Sequence, residues 1–268
     1  MKIRFLGILV GVIILATACE NELELGRRPS YLKGKLKSFI ENKTETGKSI
    51  KTEFSYTENE RIDKIKVTNT QDGYNSEESF TYGTEGKVIS SKYILTQNNT
   101  TSTYLREYTY DKNGFITQVK ETKENSPEVN YIFYTYSGDG KIIEYLRRQV
   151  SGNSNRYQGG ATLGWKNGNV VLLNETYKDG LTEEIDYLYD DKKNPVWSIY
   201  NEFLKIPTTD LSFLSQNNQT FIKKFFEGSK FKIESIYDED QVLMSQKVSV
   251  FRNTDYVKVQ ENIFEYYK

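Results

Sequence analysis

Few residues in this chain of 268 can do chemistry, and most that can are acids. Asp190 and Asp191 stand side by side just ahead of Trp197. Two carboxylates can hydrolyse a glycosidic bond without histidine, and an indole ring can hold the sugar, so this trio is the enzymatic arrangement worth naming. Consecutive acids in a turn are more often simply solvated. The turn residues Asp111, Asn113, Asp139, Asp238 and Asp240 suggest calcium, yet no stretch completes a calcium-loop pattern. With no histidine and one cysteine, the chain has no His-based triad, no Cys/His zinc site and no internal disulfide. No nucleophile, cofactor loop or metal cluster stands out. The expectation is a non-catalytic protein without metal or cofactor, the runner-up being a carbohydrate-active enzyme or accessory subunit with a site near 190–228.

The single cysteine has a different chemistry. Lys2 and Arg4 precede an unbroken apolar run from Phe5 to Ala16, and small residues lead into Cys19. The run is shorter than the roughly 20 apolar residues that span a bilayer, and fits the core of a secretory signal. The placement of Cys19 resembles a bacterial lipoprotein signal, which implies cleavage before Cys19 and acylation of its thiol. Ala16 stands where such signals usually carry leucine. Residues 1–18 are thus expected to be a signal peptide and 19–30 a tether, with Gly26 and Pro29 opposing regular structure. The acidic start Glu20-Asn21-Glu22-Leu23-Glu24 loosely resembles export signals of surface-exposed Bacteroidota lipoproteins. The implied location is the outer membrane, through the lipid, with both leaflets open and the cell surface one of the two.

Without Lys2 and Arg4 the chain carries 34 basic and 37 acidic residues, a net charge of −3. Its lysines are interspersed with acids, which argues against a nucleic-acid partner. The expected partners are the membrane and an extracytoplasmic glycan or envelope protein.

What must position any site is a repeat. Tyr108-Thr109-Tyr110-Asp111-Lys112-Asn113-Gly114-Phe115-Ile116 joins an alternating strand, a glycine turn and a second apolar strand. Related units end at Tyr56, Tyr82, Tyr136 and Tyr189, and weaker ones at Trp165, Tyr237 and Tyr266. Their spacing is about 24–29 residues, except for a doubled interval between Tyr189 and Tyr237, where one unit reads as replaced or remodelled. In the strand ending at Tyr56, Ile50, Thr52, Phe54 and Tyr56 share one face, and Lys51, Glu53 and Ser55 the other. Such alternation predicts an antiparallel sheet with one wet face and the repeat aromatics in the core. Around Tyr131-Ile132-Phe133-Tyr134 both faces are apolar, which predicts cover on both sides.

The aromatic-Thr-Tyr-Asp-x-x-Gly units resemble YD (RHS-type) repeats, and the chain from about residue 50 is similar to Bacteroidota YD-repeat-like lipoproteins of unknown function. The fold expected is all-β: an antiparallel meander of repeated hairpins forming a strongly twisted, curled or partly closed sheet. Residues 31–268 make one domain with a short helical or irregular insert at about 195–228, where Pro195 and Pro207 interrupt pairing. Departures from a repeat are where a rigid scaffold carries specific surface, so Trp197 and Tyr200 of the insert are the candidate ligand-binding residues.

Overall fold

The computed structural model describes residues 34–69, 73–207, 214–225 and 228–267. Cys19, the leader 1–18 and the tether 19–30 lie outside the described residues.

The strands are β1 (Leu36–Lys43), β2 (Lys48–Tyr56), β3 (Ile62–Asn69), β4 (Asn75–Tyr82), β5 (Val88–Gln97), β6 (Thr100–Tyr110), β7 (Ile116–Lys123) and β8 (Glu128–Tyr136). They continue as β9 (Ile142–Ser151), β10 (Ser154–Lys166), β11 (Asn169–Tyr177), β12 (Thr182–Lys193), β13 (Asn217–Lys224), β14 (Lys230–Tyr237), β15 (Leu243–Arg252) and β16 (Asp255–Tyr266). Each pairs antiparallel with its neighbours in sequence, and β1 pairs β16, with Phe39 opposite Phe264, to close a barrel. The sheet is closed, not curled or partly closed as the sequence suggested. Closure follows from the dry aromatic face: a sheet wet on one side only must bury the other, and a barrel does so while abolishing both edges.

Apart from Tyr189, where the insert follows, and Tyr266, which ends the last strand, each repeat unit supplies one even-numbered strand end, one tight turn and one odd-numbered strand start. A bulge sits one step before the anchoring aromatic, as at Ser55/Tyr56, Thr81/Tyr82, Thr109/Tyr110 and Thr135/Tyr136. Bulges add local twist, which bends the sheet towards closure. They also let the anchor and the next strand's first apolar residue both point inward; Ile62, Val88 and Ile116 are at most 2% exposed. In the turn, Gly114 has φ +86° and its N–H donates to the Asp111 carbonyl at 3.1 Å. The Asp111 carboxylate caps the N–H groups of Asn113 and Phe115, both at 2.9 Å. The turn aspartates do the work of turns, and among the described residues no group of three or more potential ligands could hold a metal.

The anchoring rings form a ring of locks around one end of the barrel. Tyr56, Tyr82, Tyr110 and Tyr136 donate their hydroxyls to the carbonyls of Leu36, Ile62, Val88 and Ile116 at 2.7–2.9 Å. Trp165 donates its indole N–H to Ile142, while Tyr189 and Tyr266 donate to Val170 and Leu243. Tyr237 alone turns to a side chain, the Asp190 carboxylate. The recurring aromatic is therefore a half-buried strut that satisfies a carbonyl beside a bulge, where the ladder is interrupted.

Three sequence expectations need correction here. Eight anchors serve sixteen strands, so no unit is missing between Tyr189 and Tyr237; the interval holds the complete β13–β14 hairpin and an added insert. That insert is shorter than residues 195–228, because β13 starts at Asn217. Phe133, on the outer face of β8, is 36% exposed, and its ring stacks with that of Tyr131 at 5.9 Å. This strand is apolar on both faces without being covered on both.

The wall has two characters. Outward residues include mid-strand charges: Lys64 pairs with Glu77 at 3.1 Å, Lys120 with Glu107 at 2.8 Å, and Lys232 with Glu234 at 2.9 Å. Inward residues are aromatic near the locked end and mixed further along. There Arg106 reaches Glu78 and Glu121, each at 2.8 Å, and Asn130 donates to Glu121 at 3.2 Å. Burial disfavours the Arg106 charge, but the two carboxylates outweigh it and raise its pKa.

Candidate functional site

The insert begins where β12 ends. Asn194 caps a short helix, α1 (Pro195–Ser198), accepting hydrogen bonds from the N–H groups of Val196 and Trp197 at 2.9 and 3.4 Å. Proline at the first helical position is pre-set in φ and needs no donor there. The chain then makes a π-helical turn, Ile199–Leu204, stopped by Lys205 in the left-handed conformation at φ +54°. Val196, Ile199 and Leu204 are buried into the locked end of the barrel, with Ile199 at 0% exposure. That apolar triplet, at helical spacing, fixes which side of the insert faces the core. The return is stitched down: the Asn194 N–H donates to Gln216 at 2.8 Å, and the Ser215 hydroxyl donates to Tyr189 at 2.7 Å. The short helical insert expected from the sequence is present, packed into the barrel end.

Between the insert and the repeat turns lies a cleft of about 470 Å³. Both tryptophans of the chain, Trp197 from the insert and Trp165 from β10, line it, as do Phe115 and Tyr136 from the repeat. Phe115 and Tyr136 are stacked at 4.9 Å with an interplanar angle of 22°. Polar groups are few: Asn201 and Lys205 from the insert, and Lys141 and Gln216 from the barrel. Asn201 is tied to the Trp197 carbonyl at 3.0 Å, and Lys193 lies 5.6 Å from the Trp197 ring centre. Burial, with Asp111 and Tyr110 nearby, raises the Tyr136 hydroxyl pKa, so it stays protonated in its lock.

The candidate residues are thus dispersed. Trp197 is half-buried in the cleft. Tyr200, three residues on, points the other way, to a smaller interior space of about 220 Å³ shared with Arg106 and Tyr134. Asp190 accepts from the N–H groups of Lys192 and Asn218 at 2.9 and 3.2 Å and from the Tyr237 hydroxyl, a bracing role for the β12–β13 junction. Asp191 is exposed, 3.5 Å from Lys192. Neither acid lines the tryptophan cleft, so the glycosidase trio is not assembled. Sequence reasoning missed Trp165, Phe115 and Lys205. Phe115, directly after the turn glycine where other units carry Lys87 or Lys141, was the available signal.

The closed barrel is a known shape. A porin-like fold is what it resembles. A porin-like protein from Bacteroides uniformis ATCC 8492 matches over 86% of this chain and 96% of its own, at a TM-score of 0.57 and 9% identity. A second porin-like protein, from Bacteroides vulgatus ATCC 8482, covers 87% of this chain and 98% of its own at 12% identity, with a TM-score of only 0.34. No protein-family model matches the sequence, and no curated protein is significantly similar to it. The resemblance to YD (RHS-type) repeats is overturned: the units build a closed, porin-like barrel, and the shared aromatic-Thr-Tyr-Asp-x-x-Gly pattern reflects a strand-turn-strand requirement that unrelated β architectures meet alike.

Proposed function

We propose that this protein is an extracytoplasmic binding barrel, tethered to the outer membrane through lipid on Cys19, that holds a glycan or a segment of an envelope protein at the insert cleft without transforming it. The observation that carries the binding role is the convergence of both tryptophans with the Phe115–Tyr136 stack on one cleft, at the insert that interrupts the repeat array. Concave, mostly aromatic sites with a few polar groups are what small ligands and anchoring side chains use.

The outer wall favours a tether over an embedded barrel. Lipid-facing barrels show an apolar band about 25 Å tall, and a lysine at the bilayer midplane costs about 2–4 kcal/mol. Here Lys64, Glu77, Glu107, Lys120, Lys232 and Glu234 lie mid-strand on the outside. An acyl anchor on Cys19 would bring such a barrel to the membrane and leave its wall in water.

Two measurements test this reading. Trp197→Ala should weaken binding to envelope glycans or proteins by about 1–3 kcal/mol with little loss of stability. A cost of about 3–5 kcal/mol in stability would instead make Trp197 core. Cys19→Ser should release the protein from membranes; retention through carbonate and urea washes would make the barrel integral.

A further inference from the structure

We propose that the barrel lumen holds a second site, separate from the insert cleft, that binds a saccharide. A cavity of about 390 Å³ lies against the inner faces of β1 and β13–β16, with Val196 of the insert at one end. Its two walls differ in chemistry. Ile222, Phe231 and Ile233, from β13 and β14, form an apolar wall, extended by Phe39 and Phe264, whose rings stack at 6.0 Å. The other wall, from β15 and β16, is a ladder of amides. Gln260 donates to Glu41 at 3.0 Å and to Asn262 at 2.7 Å, Asn262 donates to Gln246 at 3.4 Å, and Gln246 donates to Ser235 at 3.3 Å. Each member is oriented by the next. The Gln260 side chain spends its N–H groups on this ladder, and its carbonyl oxygen has no partner among the described residues.

At the end of the cavity away from the insert stands Lys224, 3.7 Å from Glu183. Glu183 is 3% exposed and holds Tyr177 at 3.1 Å through one oxygen, while its other oxygen, Oε1, has no hydrogen-bond partner. Glu183 does not line the cavity, so the acceptor left for a ligand is the Gln260 carbonyl oxygen, beside an apolar wall. Its complement is a flat ring with apolar C–H faces and a rim of hydroxyl donors, which is the chemistry of a pyranose. An acyl chain fits poorly, since it would leave the amide ladder against hydrocarbon. The position of the ladder, on strands with no residue in the tryptophan cleft, makes this site independent of the one above.

The test is calorimetric titration of the purified protein with galactose, mannose, N-acetylglucosamine and galacturonate, with myristate as an apolar competitor. At least one sugar should bind, and Gln260→Ala and Asn262→Ala should each weaken it tenfold or more at an unchanged melting temperature. Gln260→Met, close to glutamine in shape, replaces the alanine variant if that one melts early. Trp197→Ala should leave this affinity unaltered. Binding of myristate alone, or of no sugar, overturns the proposal. So does sugar binding that Trp197→Ala abolishes and both amide variants retain; that result would leave the cleft as the glycan site and remove the lumen.

Discussion

Replacing Tyr82 or Tyr136 by phenylalanine isolates the ring-to-carbonyl lock that seven of the eight repeat units share. Each hydroxyl donates to the carbonyl of a residue that is 2% exposed or less: Tyr82 to Ile62 at 2.7 Å, and Tyr136 to Ile116 at 2.9 Å. Phenylalanine keeps the ring and its packing, and removes only the donor. A net hydrogen bond is worth about 0.5–1.5 kcal/mol, and an orphaned buried acceptor costs about 1–3 kcal/mol. Both tyrosines are half-buried, so water can partly compensate, and about 1–2 kcal/mol per site is expected. For a domain of this size that lowers Tm by about 3–6 °C. The two rings stand on β4 and β8, four strand spacings or about 19 Å apart, so the double variant should lose the sum of the two within about 0.5 kcal/mol. Tyr256→Phe, at an exposed ring packed edge-on against Phe251, is the control and should change nothing measurable. The assay is urea unfolding followed by circular dichroism, with calorimetry for Tm. If Tyr82→Phe and Tyr136→Phe melt with the control, the locks contribute nothing and the repeat owes its tyrosines to packing alone.

The same struts set an alkaline limit. Burial pushes the hydroxyls of Tyr82, Tyr189 and Tyr237 up to about 12 from an ordinary value of 10.0. Their contribution is complete below pH 10 and lost as pH rises towards 12, because the unfolded chain releases these protons first; the urea midpoint should fall between pH 9 and pH 11.5, and a flat profile would contradict it. Gly114→Val should cost about 1–3 kcal/mol through backbone strain alone, since the space beside Gly114 is open up to Lys87 at 3.5 Å; an unchanged melting point would remove the turn assignment. Arg106→Leu strands Glu78 and Glu121 in the interior and should cost about 3–5 kcal/mol. Adding Glu78→Gln and Glu121→Gln should recover most of that loss, and failure to recover it in thermal melts would make Arg106 a packing residue.

Local information in the chain was enough for the building block. Alternation at Lys51–Tyr56, the Asp111–Gly114 turn and the recurring aromatics each act within a few residues, so strand, turn and wet face were legible without a partner. The missing histidines bounded the chemistry in the same way, because no arrangement in space restores a residue type. Closure, in contrast, belongs to the pairing of β1 with β16, residues more than two hundred positions apart, and depends on twist accumulated over fifteen earlier pairings. The carbonyl that each locking tyrosine reaches lies 19–23 residues back, across a bulge, where side-chain spacing carries no signal; Tyr237 instead reaches Asp190, 47 residues back. Asp190 and Trp197 looked like one site because they are close in sequence, yet Asp190 braces the β12–β13 junction while Trp197 lines the cleft. Trp165 and Trp197 are far apart in sequence and meet in one cleft, because only the packing of Val196, Ile199 and Leu204 into the barrel end decides which way the indole of the insert points.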